Sequence, residues 1–327
     1  MLETIAAALL PALITVFLGY VAAWHHDFKR EDTSVLNRMV LTYALPLALF
    51  VDTVNTPRAE MVKDLPLLLV LIAAVVGFYC AVFLGWRYLL RFSLGASAMA
   101  ALTASAPNGP FVGATVLTQL FGSASGLPVA TSGLLNSLFV TPVTIILLTH
   151  YRTQSANAAN PHSGTFTVSQ SQLAATSSPQ NAVIDIIKQP VVWLPLLGFV
   201  ILLSGLPLPQ LAAKSLGLLG QASAGVALFA TGIILSGYAV STSRQVLALV
   251  FIKNIIQPCL VWAAVYLLGY SKTLLGEMVI TAALPSLVLA AILSMQYRVA
   301  ERESASALLI SMLSSLVTLS GFIALTR

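Results

Sequence analysis

Ala106-Pro107-Asn108-Gly109-Pro110 and, 178 residues further on, Ala283-Leu284-Pro285-Ser286 are the two stretches on which the reading of this chain turns. Both lie inside long apolar runs. Proline lacks a backbone donor and its ring clashes with the preceding helical turn, so each run is predicted to break at its proline. At membrane depth, unwound backbone is tolerated only where it is buried in protein or lines a polar cavity. Interrupted helices in matching positions of two halves point to a carrier's midplane binding site.

The surrounding composition supports a bilayer setting. Of 327 residues, 58% are apolar and 8% charged, against about 25% charged in soluble domains. That excludes an ordinary cytosolic enzyme. The net charge of +5 comes from only 16 basic residues scattered between apolar runs, with no basic stripe of the kind that binds nucleic acid. Cys80 and Cys259 both fall in apolar runs and read as free thiols at lipid depth. A window of about 19 residues marks spans at 4–23, 35–51, 65–86, 94–120, 127–149, 190–205, 211–236, 246–268, 274–296 and 304–325. The first lacks a basic leader and reads as a membrane helix rather than a signal peptide.

One long polar stretch interrupts the series, leaving residues 1–150 and 189–327 as two five-span units joined by a flexible linker over 151–188. Thr103-Ala104-Ser105-Ala106-Pro107-Asn108 aligns with Thr281-Ala282-Ala283-Leu284-Pro285-Ser286, and Leu10-Pro11-Ala12-Leu13 with Leu194-Pro195-Leu196-Leu197. Their order and similar spacing fit a duplication. An odd number of crossings per unit makes the second unit enter from the opposite side, so the repeats are predicted to be inverted. Ten Lys and Arg residues gather on one side with the linker and five on the other, Lys253 lying within a span. The positive-inside rule makes the linker cytoplasmic and places both termini outside.

The expected architecture is therefore an all-α polytopic membrane protein of ten transmembrane helices in two inverted five-helix repeats, with the fourth and ninth broken. Half-helix N-termini present free N–H groups and partial positive charge, which suit an anion. Around the breaks, Pro107, Asn108, Gly109, Pro285 and Ser286 are the candidate substrate-binding residues. Lys253 is the only ionisable residue well inside a span, with Gln257 one turn on along the same face. Three readings fit Lys253: a substrate contact, a brace for a neighbouring helix C-terminus, or a side chain snorkelling to the interface. Asn136 fits a site contact and an interhelical hydrogen bond equally well, whereas for Gln221 the interhelical bond is the preferred reading. Asp52 and Glu277 fall near the outer ends of their spans, which leaves no midplane carboxylate as an obvious proton or sodium relay.

No phosphate-binding loop or zinc motif occurs. Neither catalytic residues, nor a metal, nor a cofactor is expected.

Leu36-Asn37-Arg38, Tyr43-Ala44-Leu45-Pro46, Ala106-Pro107-Asn108-Gly109-Pro110-Phe111, Lys253 before Gln257-Pro258, and Ala283-Leu284-Pro285-Ser286 together resemble the auxin efflux carrier family. The resemblance spans essentially the whole chain and is closest to the bacterial members known as malonate transporters. It implies a fold similar to bile-acid-sodium symporters, NhaA-like antiporters and plant PIN carriers, with the fourth and ninth helices crossing at their prolines. It also implies a homodimer in the bacterial inner membrane, and an elevator cycle in which the first, second, sixth and seventh helices form the scaffold. Carried over by position, Pro107 and Pro285 mark the crossing, Asn108 contacts a substrate carboxylate and Asn136 supports it. The short linker and Pro285-Ser286 in place of Pro-Asn depart from the plant carriers and favour a small carboxylate over auxin.

The leading expectation is a secondary transporter of a small organic anion, a dicarboxylate such as malonate. An anion channel and a non-transporting sensor or scaffold are the alternatives. Deleting Ser155 to Ser178 separates these, because a carrier is expected to tolerate the loss better than a sensor that reads the linker.

Overall fold

The computed structural model describes residues 2–55, 65–121, 132–133, 135–159, 190–206, 208–237 and 239–326. Most of the expected linker, 160–188, lies outside these residues. Among them the chain is helical, and its only β pairing is an isolated antiparallel bridge between Pro107 and Ser286. In chain order the helices are α1 (Leu2–Trp24), α2 (Thr33–Val54), α3 (Leu65–Leu84), α4 (Leu94–Ser105), α5 (Ala114–Phe121), α6 (Thr141–Ala159), α7 (Pro190–Ser204), α8 (Gln210–Gly237), α9 (Arg244–Leu267), α10 (Lys272–Ala283), α11 (Leu289–Tyr297) and α12 (Glu301–Thr326). Helix α6 runs nine residues into the stretch expected to be linker.

Among the described residues, five segments are long and apolar enough to cross a membrane, at Thr33–Val54, Ile72–Leu89, Gln210–Gly237, Arg244–Leu267 and Glu301–Thr326. Leu9–Trp24, Leu94–Ser105 and Pro190–Ser204 are shorter apolar helices. Large apolar side chains such as Phe17, Leu89, Leu211, Leu267 and Val317 stand exposed on the outside, as suits a lipid-facing surface. The protein is an all-helical polytopic membrane protein.

Prolines shape the helices in two ways. Helices α1 and α7 run through Pro11 and Pro195 without interruption, whereas at three other prolines a wide π turn comes first. Val40–Ala44 precedes Pro46, Asn136–Val140 precedes Pro142 and Ile252–Ile256 precedes Pro258. The extra residue in such a turn accommodates a ring that would otherwise clash with the preceding turn. Pro107 and Pro285 instead stop the chain. Helices α4 and α10, which lead up to them, are each 12 residues long and start on a serine N-cap, Ser93 accepting from Ala96 N and Ser271 from Leu274 N. Caps and breaks thus share the 178-residue offset.

Glycine sets the tightest packing. A Cβ at Gly19 of α1 would stand 2.0 Å from the Phe229 carbonyl oxygen of α8, and one at Gly232 of α8 2.0 Å from the Val16 carbonyl oxygen. At Gly220 a Cβ would meet the Ala48 backbone of α2 at 2.9 Å, and Gly198 of α7 packs on Phe50 and Thr53 of α2. Helices α1, α2, α7 and α8 are therefore joined backbone to backbone, as small residues allow within membranes. Gly232→Val is expected to force α1 and α8 apart at a cost of about 1–3 kcal/mol, read as a lower Tm of the purified protein in detergent. Gly77→Ala, where a Cβ meets nothing within 4 Å, is expected to leave Tm unchanged.

Candidate functional site

At the two prolines both helices unwind and pair with each other. Asn108 N–H donates to the Pro285 carbonyl at 3.0 Å, and Leu287 N–H to the Ala106 carbonyl at 3.1 Å. These are the two flanking bonds of an antiparallel bridge. The remaining donors are also paired, Ala106 N–H with the Leu102 carbonyl at 3.2 Å and Ser286 N–H with Ser311 Oγ at 3.0 Å. Pro107 and Pro285 have no N–H to satisfy. The prolines thus stand where unwinding would otherwise strand a donor, at a cost of about 1–3 kcal/mol for a buried group.

Side chains from three other segments complete the crossing. Asn136 Nδ2 donates to the Pro107 carbonyl at 3.1 Å. Ser311 of α12 accepts from Ser286 N and donates to Asn254 Oδ1 at 2.8 Å, while Asn254 Nδ2 returns a bond to the Ser311 carbonyl at 2.9 Å. Asn254 and Ser311 escaped the sequence reading. The polar triple Lys253, Asn254 and Gln257 within an apolar run, and the Ser311, Ser314, Ser315 cluster in another, were the available signals.

Lys253 is fully buried and does not reach the interface. Its Nζ donates to the Ala282 carbonyl at 2.8 Å and to Gln257 Oε1 at 2.8 Å, and Gln257 Nε2 donates to the Ser105 carbonyl at 2.8 Å. Ser105 and Ala282 lie in the last turns of α4 and α10, so one lysine and one glutamine brace both half-helix C-termini. A positive group there is favoured by the carbonyl dipoles that converge on it. Of the three sequence readings, the helix brace is the one that matches these contacts.

Asn108 differs from all these residues. Its side chain is fully buried, yet neither Oδ1 nor Nδ2 has a hydrogen-bond partner. Its own carbonyl accepts from Val112 and Gly113 N–H, both at 3.1 Å, and so starts the helical stretch that runs from Gly109 into α5. Asn108 lines a cavity of about 430 Å³ between the crossing and α1, α2 and α8, which also presents Thr15, Asp52 and Gln221. Gln221 therefore faces this space, not only a neighbouring helix as the sequence suggested. A smaller space of about 30 Å³ is lined by Asn136, Thr141 and Ser223. Asn136 Oδ1, Thr141 Oγ1 and Ser223 Oγ have no partner, and a single water fits such a volume.

All eight candidate residues from the sequence thus gather at the crossing, in two classes. Pro107, Gly109, Pro285, Ser286, Asn136, Lys253 and Gln257 form or brace the frame, and Asn108, which lines the cavity, keeps a buried amide with unused hydrogen-bonding capacity.

The chain matches the family model for membrane transport proteins over residues 4–323. It belongs to that family, the auxin efflux carriers of the sequence resemblance. It is 29% identical to the uncharacterized transporter YfdV of Escherichia coli (strain K12), over 100% of this chain and 99% of that protein. A protein of Rhizobium meliloti (strain 1021) named "Putative malonate transporter" is 25% identical over 99% of this chain and 96% of its own length. An uncharacterized transporter of Methanothermobacter thermautotrophicus is 25% identical over 95% of this chain and 94% of its own. The family and these relatives are named as transporters rather than enzymes.

Stability separates the two classes of residue. Lys253→Met strands the Ala282 carbonyl and the Gln257 oxygen, at about 1–3 kcal/mol for each, and is expected to lower Tm clearly. Asn108→Ala removes no hydrogen bond within the protein and is expected to change Tm little.

Proposed function

We propose that the protein is a secondary transporter of a small organic anion, a dicarboxylate such as malonate, working by elevator-type alternating access. The observation that carries this reading is the buried, unpartnered amide of Asn108, a residue at the head of a half-helix that lines a cavity of about 430 Å³. An amide left unpaired inside a protein is costly unless a ligand or water completes it. The start of a helix adds oriented N–H groups that favour negative charge. The volume lies toward the small end of ligand sites, about 300–1,000 Å³, and suits a short carboxylate with some water.

The rest of the reading follows from where the cavity lies. On one side stand α1, α2 and α8, locked together with α7 through glycine contacts, and on the other stands the crossing. A cavity between two bodies, one of them carrying the binding amide, is what an elevator movement needs. The shared offset of caps and breaks supports ten spans in two inverted repeats, 1–150 and 189–327, with the linker cytoplasmic and both termini outside. The protein works as a homodimer in the inner membrane, with the glycine-locked helices as scaffold. The malonate relative supports the choice of substrate by name and near full-length alignment.

Counterflow of labelled malonate in proteoliposomes is the test, with other carboxylates and indole acetate as unlabelled competitors. Exchange that is accelerated by substrate on the far side is expected for a carrier, whereas a channel gives passive current without it. Asn108→Ala is expected to reduce exchange by about tenfold or more, the scale of one lost charge-assisted hydrogen bond, while the protein still elutes as a folded dimer. Normal exchange by that variant removes Asn108 from the site.

A further inference from the structure

The Asn108 cavity has two chemically opposite ends. At the crossing stand an amide able to donate and the first turn of a half-helix. On the α2 side stands Asp52, two residues before the end of that helix at Val54. Among the described residues that line the cavity, Asp52 is the only ionisable one. The sequence reading set Asp52 aside because it falls near the end of its span, but the cavity extends from the crossing to that end.

An ionised carboxylate only accepts hydrogen bonds, at about four lone-pair positions, so it has room for a ligand donor alongside its contacts within the protein. It also repels a second negative charge brought beside it. A doubly ionised dicarboxylate would place one carboxylate at the donor end and the other against Asp52. A singly charged anion carrying a donor at its far end meets both ends correctly.

Among the described residues, the helices that line the cavity beside α2 or pack on α2 carry few titratable groups. Helix α7 has no titratable residue. Helix α8 offers Lys214, which is exposed and one turn before Gly217 on the cavity face. Helix α1 carries Glu3 and Tyr20, Tyr20 being exposed and beyond the cavity-lining stretch that ends at Thr15. Arg58, Glu60, Lys63 and Asp64, which follow α2, lie outside the described residues.

We propose that Asp52 is the specificity-determining residue of the site, and that it selects monoanions whose far end bears a hydrogen-bond donor: a protonated carboxyl, a hydroxyl or an amide. This rests on the anion-carrier reading above. A dicarboxylate then travels as its half-protonated form, carboxylate toward Asn108 and carboxylic acid O–H donated to Asp52. The proton rides on the substrate and leaves with it, so transport of a dicarboxylate carries one proton and one negative charge.

The test is competition against labelled malonate counterflow at pH 6 and pH 8, using unlabelled malonate, malonamate, 3-hydroxypropionate and monomethyl malonate. Malonamate and 3-hydroxypropionate keep one charge and a donor at both pH values, and are expected to compete equally well at both. Unlabelled malonate is expected to weaken by about tenfold for each pH unit over which its half-protonated form is depleted. Monomethyl malonate matches the half-protonated acid but lacks the donor, and is expected to compete at least about tenfold less well. In Asp52→Asn, whose amide can donate as well as accept, the ester is expected to gain on malonamate by a similar factor.

Stronger competition by malonate at pH 8 than at pH 6, or an ester as effective as malonamate in the wild-type protein, overturns the inference. The wild-type ranking decides this even where Asp52→Asn yields no folded protein. A folded Asp52→Asn variant with an unaltered ranking overturns it too. Absence of wild-type counterflow with every carboxylate tried is a different result, since it removes the carrier reading and this inference with it.

Discussion

The pair of backbone hydrogen bonds between Ala106–Asn108 and Pro285–Leu287 is the constraint on which the rest of the structure depends. A chain within a bilayer has no water to satisfy an unwound turn. Two breaks that pair with each other answer that need, because each unwound stretch supplies the other with a donor and an acceptor. The pairing is incomplete by itself. It leaves the Pro107 carbonyl and the Ser286 N–H, which Asn136 and Ser311 take up. Each of these side chains comes from the last apolar segment of its own half, so both segments are tied to the bridge through side chains.

Charge organises the same region. Breaking a helix exposes carbonyls at one end and N–H groups at the other, and the crossing gathers both kinds. The carbonyl ends receive a permanent partner in the buried pair Lys253 and Gln257. The N–H end beside Asn108 is left for the cavity. That asymmetry keeps the lysine engaged with the carbonyl ends and away from the N–H end. It also explains how a lysine can be fully buried in an apolar helix, since both of its hydrogen bonds are made within the crossing.

Beside this polar centre stands a group of helices held by close backbone contact. Glycines at positions 19, 220 and 232 bring α1, α2 and α8 together at distances a Cβ would forbid. Such surfaces have little freedom to repack, and the cavity lies between them and the crossing, with a lining drawn from both.

Much of this was legible in the sequence, for reasons that are local. Proline's missing donor and ring dictate breaks at Pro107 and Pro285 wherever the chain folds, and low charge with long apolar runs dictates a membrane setting. The repeated register of Thr103 and Thr281 already hinted that the two breaks correspond. The partners of those breaks were decided by tertiary structure, because a hydrogen bond between residues far apart in the chain leaves no periodic trace. Lys253 shows the limit well: its depth was readable, but whether it met a helix end, a substrate or the interface depended on which carbonyls the fold brought within 2.8 Å. Asn254, Ser311 and Asp52 were passed over for the same reason. Sequence specifies which residues are awkward in a bilayer, and only the packing of distant helices determines what satisfies them and which one is left for a ligand.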